Sequence, residues 1–382
     1  MRVLMTGGYG CIGSWVTREL VERGYDVWIF DLREDTHRLD LVLDPEKRSK
    51  VHFVAGDVSD LEGVRAAVER VEASHILHLA GLQTPTCRAD PILGAMVNVI
   101  GTLAVFQAAV ALKNQVQRVV YASSAAVHGP RAEGAEGGVG DEVRLVPLSH
   151  YGAYKVCNEL NARVFWLDQG ITSIGLRPWT VYGVGRDFGM TSEPTKAIKA
   201  VAVGRRYHIS YGGLQDLQYV GDVAATFVRA LEHPFQGADA FNLRGAVKPI
   251  ETFVAALGDV VPTSTALVTA RRPATAHTST WTIRGSRTGW ARSLGRVCTT
   301  ASPRLTAGSW SCATRAGWTC RIWPEIARSW DEMLISSHDV ENKNVARLAV
   351  TSPAWSPVSR PWSWPEPEWP ERSAGRGPWA WA

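Results

Sequence analysis

Apolar positions alternate between strand-like runs and helical spacing through the first 130 residues. A short apolar run at 3–6 precedes apolar positions at helical spacing over 12–21, and a second run follows at 26–31. Further strands are predicted at 51–54, 75–79 and 118–122, and further helices at 61–71 and 91–112. Strands that alternate with helices predict an α/β fold of the Rossmann type, a doubly wound parallel sheet with helices on both faces.

Composition changes abruptly near residue 270. The last 112 residues contain twelve of the 16 tryptophans and ten of the 20 prolines, and their net charge is +7, whereas residues 1–270 carry −3. The basic balance of the whole chain, +4, therefore comes from this tail. The main body gives no reason to expect nucleic acid as a partner.

Three interpretations of the tail at 271–382 compete. It is a Trp-rich binding module, a divergent or disordered appendage, or the product of a reading-frame change near Ala270. We favour the third, because a GC-rich gene read out of frame turns Leu, Asp and Gly codons into Trp, Arg, Thr and Pro codons. Resequencing the gene tests this hypothesis, and an intact frame with no alternative frame downstream would contradict it. We assign no functional residue to the tail.

Several classes of protein are disfavoured by what the chain lacks. It has no run of about 18 apolar residues and no apolar leader, so we expect neither a membrane-spanning helix nor a secretory signal. Its six cysteines form no Cys-x-x-Cys pair, which favours a reducing, cytoplasmic setting. We expect His75 and His78 to share one face of a strand. The sequence suggests no third ligand near them, so we predict no metal site.

A glycine cluster lies between the first predicted strand and helix. It has the form G-x-x-G-x-x-G, with Gly7 permitting a tight turn, Gly10 a close backbone approach to a pyrophosphate, and Gly13 the packing of helix on strand. The helix N-terminus offers free N–H groups to phosphates. A glycine-rich turn without ligand is the alternative, but the strand–helix context favours a dinucleotide site.

Two acidic residues follow the next strands. Asp31 ends the second strand, where a carboxylate accepts hydrogen bonds from both ribose hydroxyls and repels a 2′-phosphate. This favours NAD over NADP, although Arg33 nearby could accommodate that phosphate. Asp57 follows the third strand, where it could meet the adenine amino group or serve as an acid at a helix N-terminus, and the sequence leaves both open.

A tyrosine and a lysine are spaced for proton transfer. Tyr151 and Lys155 lie four residues apart in a predicted helix over 151–167, which places both on one face. A neighbouring ammonium is expected to lower the pKa of the phenol, so that it can exchange a hydroxyl proton near neutral pH. Ser123 and Ser124 close the fifth strand at the sheet edge where such folds bind ligands.

With these motifs, the chain resembles the extended short-chain dehydrogenase/reductase superfamily, in its NAD-dependent epimerase/dehydratase branch. The resemblance covers roughly residues 1–262. It rests on the glycine loop 6–13, Asp31, and the motifs at 56–58, 78–81, 98–102, 123–129, 151–155, 176–183 and 218–224.

The resemblance implies a role for each matching residue. Tyr151 is the expected acid/base, Lys155 binds the nicotinamide ribose and tunes the phenol, and Ser124 orients the reacting oxygen. The expected NAD-binding residues are Gly7, Gly10, Cys11, Ile12, Asp31, Asp57, Val58, Leu79, Ala80, Gly81, Asn98, Tyr151, Lys155 and Pro178. We expect an NAD-binding domain over 1–176 and a smaller substrate lobe over 177–270, interleaved with the last strands. A homodimer through the helices at 91–112 and 151–167 is also expected.

Departures from the family pattern narrow the expected chemistry. Ala125 and Ala126 stand where 4,6-dehydratases carry Asp-Glu, so elimination is disfavoured. Gln215 stands where nucleotide-sugar enzymes usually carry a diphosphate-binding arginine, although Arg186, Arg205 or Arg206 could supply that charge. His128 replaces the usual tyrosine of the Val-Tyr-Gly element.

The resulting expectation is an NAD-dependent epimerase or oxidoreductase that acts on a secondary hydroxyl of a sugar-like substrate. Two alternatives stay open. One is an NAD-binding protein without turnover, and the other is a dehydrogenase that releases NADH with a non-nucleotide sugar acid. The loop at 183–192 is either a mobile cover over the site or an ordinary glycine-rich connector.

Overall fold

The computed structural model describes residues 1–129 and 140–271. The segments 130–139 and 272–382 lie outside the described residues, and so does the hypothesis of a changed reading frame in the tail.

The strands are short and occur throughout both described ranges. They are β1 (Arg2–Thr6), β2 (Asp26–Asp31), β3 (Val51–Ala55), β4 (His75–His78), β5 (Arg118–Ala122), β6 (Ser173–Arg177), β7 (Thr180–Tyr182), β8 (Tyr207–Ile209), β9 (Leu214–Tyr219), β10 (Ala238–Asn242), β11 (Ala246–Pro249) and β12 (Val268–Ala270).

Helices connect most of these strands. They are α1 (Cys11–Glu22), α2 (His37–Asp40), α3 (Pro45–Arg48), α4 (Leu61–Val71), α5 (Thr84–Ala89), α6 (Pro91–Ala95), α7 (Gly101–Ala111), α8 (His150–Gln169), α9 (Glu193–Ala202), α10 (Val220–Glu232) and α11 (Ile250–Val260). A π-helical turn at Met96–Ile100 joins α6 to α7, and 3₁₀ turns occupy Ala125–Val127 and Pro262–Ala266.

A seven-stranded parallel sheet forms the centre of the fold. Its strand order is β10-β6-β5-β4-β1-β2-β3, with every neighbouring pair parallel. The order reverses between β1 and β4, and in such sheets ligands bind beyond the carboxyl ends of the strands at this point. The predicted Rossmann-type fold is confirmed.

Both faces of the sheet are covered by apolar side chains. On one face, Val16 and Leu20 of α1 pack with Val223 and Phe227 of α10. On the other, α4 and α7 contribute a second cluster around Phe106, which packs edge-on against Tyr121 of β5 at 5.9 Å between ring centroids. Burial on both faces explains why the strands appear in the sequence as continuous apolar runs.

The later residues alternate between a smaller lobe and the main sheet. The strands β7, β9 and β11 make a three-stranded sheet, and β8 pairs with β12. A third apolar cluster, which includes Tyr182, Leu217 and Phe253, holds this lobe together. After β9 the chain re-enters the seven-stranded sheet at β10, and it then returns to the second lobe for β11, α11 and β12. The helix α10 belongs to the layer that covers the main sheet.

One helical stretch bears on the expectation of no membrane span. Pro91–Ala111, which runs through α6, the π turn and α7, is long and apolar enough by length and composition to cross a bilayer. Half of its most apolar window is buried inside the protein, where Val105 and Phe106 are fully enclosed. A core helix of a protein without membrane spans passes the same test.

Candidate functional site

The glycine loop is shaped by close backbone contacts at the carboxyl end of β1. Gly7 has φ +70°, and a Cβ there would lie 2.5 Å from the backbone nitrogen of Ala80. A side chain at Gly13 would lie 2.4 Å from the carbonyl oxygen of Gly7. Only glycine permits both contacts, so the loop is held between α1 and the segment that follows β4.

The first turn of α1 is suited to an anionic ligand. Its N-cap residue is Gly10, which offers no side-chain cap, and the first turn contains no acidic residue. At Gly10 itself an added Cβ would meet only the carbonyl oxygen of Gly7 within 4 Å, at 3.2 Å. The N–H groups of the first turn, starting at Cys11 and Ile12, therefore remain for a phosphate. Burial raises the pKa of the Cys11 thiol to about 12, so this side chain is an uncharged packing group.

Asp31 lies at the end of β2, beside this loop. Its carboxylate accepts a hydrogen bond from the backbone N–H of Leu32 at 2.9 Å. Burial raises its pKa, and the backbone N–H groups of Leu32 and Tyr9 offset part of that shift. Arg33, the residue that could admit a 2′-phosphate, is largely exposed and lies 3.6 Å from Asp35. The carboxylate is thus fixed in place while the arginine points into solvent.

Asp57 has a local structural role. One of its carboxylate oxygens accepts hydrogen bonds from both the backbone N–H and the hydroxyl of Ser59, each at 2.8 Å. These bonds form an Asx turn in the loop before α4, whose N-cap residue is Asp60, and both roles that the sequence left open for Asp57 stay predictions. The neighbouring Val58 is buried and contacts Gly101 at the start of α7. A contact of either residue with adenine stays a prediction.

The segment after β4 connects the glycine loop to the Tyr–Lys helix. Leu79 and Ala80 donate backbone hydrogen bonds to Thr6, at 3.0 Å to its carbonyl and 3.3 Å to its hydroxyl. A side chain at Gly81 would lie 3.6 Å from the ammonium of Lys155. The two motifs that the sequence separates by about 140 residues are therefore joined by one short stretch of backbone.

Tyr151 and Lys155 lie on the first two turns of α8. The helix begins at Ser149, whose hydroxyl accepts a hydrogen bond from Gly152 at 3.1 Å. Lys155 is 4 % exposed and donates a hydrogen bond to the carbonyl of Ala122, the last residue of β5, at 2.7 Å. Its Nζ lies 5.7 Å from the centre of the Tyr151 ring. Burial lowers the pKa of this lysine to about 8, which leaves it mostly charged at neutral pH.

The side chain of Ser124 lies close enough to the Tyr151 phenol to favour its ionised form and so to act on its pKa. Burial raises the pKa of Tyr151 above its ordinary value, while Ser124 and the positive charge of Arg186 offset part of the increase. We predicted that Lys155 lowers the pKa of Tyr151, and this prediction is wrong for the protein without a bound cofactor. Burial has the largest effect and raises the pKa, and the positive charge that opposes this rise is that of Arg186. Ser124 also caps the turn at Ala125–Val127, which fixes the position of its oxygen.

Ser123 belongs to a different, wholly structural network. Its hydroxyl bonds to the carboxylate of Glu159, and Arg177 of β6 donates two further hydrogen bonds to the same carboxylate at 2.8 and 2.7 Å. The Glu159 and Arg177 side chains are only 6 % and 4 % exposed. Glu159 lies one helical turn beyond Lys155, so this buried ion pair fixes α8 against the ends of β5 and β6. This ion pair was not predicted from the sequence, although the repeat of Tyr151, Lys155 and Glu159 at four-residue intervals is a usable signal.

Asn98 is held beneath the segment after β4. It lies in the π-helical turn, and its amide donates to the carbonyls of Gly94 at 2.9 Å and Leu82 at 3.1 Å. Its own backbone carbonyl accepts from Asn158 of α8 at 2.8 Å. These bonds tie α8 to the cofactor side of the sheet. Direct contact between Asn98 and a cofactor stays a prediction.

Pro178 borders the same turn as Ser124. It follows β6 directly, and its carbonyl accepts a hydrogen bond from Ala125 at 3.0 Å. Nearby, His128 stacks on Trp179 with 5.8 Å between ring centroids and bonds to Asn242 at 2.8 Å. The histidine that replaces the family's tyrosine is thus fixed at the junction between the main sheet and the second lobe.

The expected histidine pair on β4 is wrong in its geometry. His75 and His78 are three residues apart on one strand, and successive side chains alternate between faces, so the two point to opposite sides of the sheet. His75 bonds to Ser74, and His78 bonds to Thr6 and Thr102. Burial lowers the pKa of His78 to about 3, so it is neutral. The described residues contain no group of three or more His, Cys, Asp or Glu side chains that could hold a metal ion.

A cavity of about 470 Å³ opens at the opposite edge of the sheet. It is lined by residues that include His75, Lys113, Arg118 and Thr172, at the amino ends of β4, β5 and β6. The guanidinium of Arg118 donates to carbonyls at and after the end of α10, among them that of Leu231 at 3.0 Å. This cavity is therefore separate from the chemistry at the carboxyl edge.

Comparison with known proteins agrees with this geometry. The chain matches the NAD dependent epimerase/dehydratase family over residues 3–243. It is 28 % identical over 296 residues to UDP-glucose 4-epimerase 3 of Oryza sativa subsp. japonica, covering 68 % of this chain and 77 % of that protein. The chain belongs to this family of NAD-dependent enzymes.

Solved structures show the same fold. UDP-glucose 4-epimerase of Thermus thermophilus, in complex with NAD, superposes with a TM-score of 0.62 at 25 % identity, covering 74 % of this chain and 90 % of that one. MoeE5, in complex with UDP-glucuronic acid and NAD, superposes with a TM-score of 0.60 at 25 % identity, covering 77 % and 92 % of the two chains. The resemblance inferred from the motifs is confirmed.

Replacing Glu159 with Gln tests the role of the buried ion pair. The change removes the ion-pair partner of the buried Arg177 guanidinium, and breaking a buried pair in this way typically costs about 3–5 kcal/mol. We expect a loss of that size in the free energy of unfolding, measured with urea. The exposed acid Glu69 on α4 provides the control, because Glu69→Gln should change stability by less than about 0.5 kcal/mol. Equal stability of the two variants would contradict the assignment.

Proposed function

We propose that this protein is an NAD-dependent epimerase or oxidoreductase that acts on a secondary hydroxyl of a sugar-like substrate. The proposal is carried by the pairing of Tyr151 with Lys155, whose Nζ lies 5.7 Å from the centre of the Tyr151 ring, at a place that Gly81 connects to the glycine loop. When bound, NAD supplies the hydride acceptor and, in its oxidised form, a positive ring charge.

The chain's own residues handle the proton. Tyr151, as the phenolate, takes the hydroxyl proton of the substrate while the hydrogen on the same carbon leaves as hydride. Ser124 donates a hydrogen bond to the substrate oxygen and keeps it within reach of the phenol. Lys155, fixed by the carbonyl of Ala122, holds its ammonium 5.7 Å from the centre of the Tyr151 ring, where it can bind the nicotinamide ribose. Epimerisation requires that the hydride return to the other face of the ketone, and net oxidation requires that the ketone leave, so both use the same three side chains.

The residues around this site argue against elimination chemistry. The two positions after Ser124 are Ala125 and Ala126, neither of which can transfer a proton to a leaving hydroxyl. An acid at this place is what the sequence analysis expects of a dehydratase. We therefore favour oxidation or epimerisation over dehydration.

Replacing Tyr151 with Phe should abolish turnover without preventing cofactor binding. We expect the rate to fall by roughly 10²–10⁴-fold, because a positioned acid/base contributes about that much. The measurement is NADH absorbance, with epimer analysis of the products, over a panel of sugars, uronates and aldonates. The Kd for NAD should change by less than about twofold, since the glycine loop is untouched.

Tyr154→Phe is the matched control for that experiment. Tyr154 lies on the same helix, but its hydroxyl donates to the carbonyl of Pro91 at 2.8 Å. Its loss should leave turnover within about threefold of the native rate, since it removes one ordinary hydrogen bond away from the site. If the native protein binds NAD and turns over nothing in the panel, the alternative of a binding protein without turnover replaces our proposal.

We also propose NAD, in preference to NADP, as the cofactor. Asp31 is fixed by two backbone N–H groups, and a carboxylate there repels a 2′-phosphate. In Asp31→Ala the ratio of the Kd for NADP to the Kd for NAD should fall by about tenfold or more, measured by fluorescence titration of both cofactors. The exposed acid Glu34, three residues away, provides a control in Glu34→Ala. An unchanged ratio in Asp31→Ala would show that the discrimination lies elsewhere.

Finally, we propose a homodimer formed by two exposed apolar faces. On α8 the side chains of Leu160, Val164 and Leu167 are between 50 % and 66 % exposed and share one helix face. The stretch from α6 through the π turn also exposes apolar side chains, namely Ile92, Leu93, Met96 and Ile100. Two adjacent apolar faces of this kind are typical of an interface.

Introducing charge on α8 tests the dimer. We expect the double variant Leu160→Asp, Leu167→Asp to sediment as a monomer under conditions in which the native protein sediments as a dimer, because two carboxylates per subunit would be buried in the interface. The control is Val203→Asp, at an exposed apolar residue of the second lobe. A native protein that sediments as a monomer at all concentrations would refute this interface.

A further inference from the structure

Arg186 is a half-buried cation without an acidic partner among the described residues. It lies in the loop at 183–192, and no carboxylate oxygen of the described residues is within 4 Å of its guanidinium. The adjacent Asp187 is bound instead by Arg38, at 3.0 Å. The hydrogen bonds of Arg186 are to neutral oxygens and are long, 3.4 Å to the Gln83 amide and 3.2 Å to the Thr191 hydroxyl. Its Nε is buried and has no hydrogen-bond partner in the described part of the chain. A partly buried cation without a counter-ion is stabilised when an anion binds to it.

The loop that carries Arg186 is fixed over the glycine loop. Trp15 of α1 donates to the carbonyl of Val184 at 3.0 Å, and the Arg38 ion pair holds Asp187 from the side of α2. Gln83, the partner of Arg186, belongs to the segment that also contains Gly81. The guanidinium is therefore attached to the same backbone that joins the glycine loop to Lys155.

The charge of Arg186 acts on the reacting end of the site. It offsets part of the rise that burial causes in the pKa values of the Tyr151 and Tyr211 phenols. The buried hydroxyl of Tyr211 has no hydrogen-bond partner within residues 1–129 and 140–271. Gln83, which contacts Arg186, thus links a cation with unused hydrogen-bonding capacity to the segment in which Gly81 lies beside Lys155.

In the described part of the second lobe, the other residues considered as anion ligands are neutral or lie in an exposed turn. Gln215, which stands at the position of the family's arginine, is neutral and accepts a hydrogen bond from Thr180 at 3.1 Å. Arg205 and Arg206 lie in an exposed turn between α9 and β8. One guanidinium matches the single negative charge of a carboxylate, and its planar edge can bind both oxygens. A diphosphate carries at least twice that charge.

We propose that Arg186, supported by Gln83 and Thr191, binds a carboxylate of the substrate, so that the substrate is a hydroxylated carboxylic acid of the sugar-acid type. The inference rests on the proposed function and narrows it to one substrate class. The hydroxyl to be oxidised lies at Tyr151 and Ser124, and the acid group of the same molecule lies at Arg186.

The test is binding of matched acid and neutral ligands to the full-length protein saturated with NAD. Calorimetric titration with D-galacturonate and D-galactose compares two sugars that differ only in the charged group. We expect the uronate to bind at least about tenfold more tightly than the neutral sugar. In Arg186→Gln this preference should be lost, with uronate binding weaker by roughly 10–100-fold, and Arg186→Lys should be intermediate. The control Arg205→Gln, in the exposed turn, should bind both ligands as the native protein does.

Other outcomes identify what else the guanidinium could bind. If Arg186→Gln weakens NAD binding as much as uronate binding, the guanidinium serves the cofactor pyrophosphate and the proposal fails. If uridine diphosphate binds through Arg186 while neither uronates nor aldonates bind, the ligand is a diphosphate and the proposal also fails. Equal uronate binding by native protein and Arg186→Gln would likewise overturn it.

The same assays separate this inference from the proposed function. Tight uronate binding that depends on Arg186, with no turnover of any substrate, would refute the enzymatic proposal alone. Turnover of neutral sugars that depends on Tyr151, without uronate binding, would refute the carboxylate alone.

Discussion

The position of α8 is the constraint on which the proposed chemistry depends. The helix carries Tyr151 and Lys155, yet it is not part of the sheet whose carboxyl edge forms the site. The buried pair of Glu159 and Arg177, together with Ser123, attaches it to the ends of β5 and β6. Lys155 adds a hydrogen bond to the end of β5, and Asn158 adds one to the π turn at Asn98. These four attachments leave the tyrosine little freedom other than to face Ser124.

Much of the fold follows from local patterns in the chain. The bounds of β2 and α4 agree with their apolar runs, because Gly24 ends α1 just before β2 and Asp60 precedes the first turn of α4. The pairing of Tyr151 with Lys155 was predicted for a similar reason, since their four-residue spacing places both on one face of α8. Short helices such as α2, α3 and α5 were missed because four to six residues give no measurable period.

The features of the site that could not be predicted from the sequence depend on contacts between residues far apart in the chain. Arg186 and Gln83 are 103 residues apart, and nothing in either segment indicates that they meet. The pKa of Tyr151 was predicted in the wrong direction. The spacing of residues along a helix indicates which charged side chains are neighbours, whereas the extent of burial depends on the whole fold. The histidines of β4 were misplaced for a simpler reason, since an interval of three does not keep two side chains on one face of a strand.

The order in which the chain enters the main sheet limits how the protein can be cut into separately folding fragments. β10 supplies the outer edge of the seven-stranded sheet, and α10 closes one face of it by packing on α1. Both come from residues beyond 177, after the point at which a linear reading would end the nucleotide-binding half. A fragment that stopped there would lack an edge strand and expose the apolar face of its first helix. The two functional halves are therefore interwoven along the chain, and neither can be excised as an independent module.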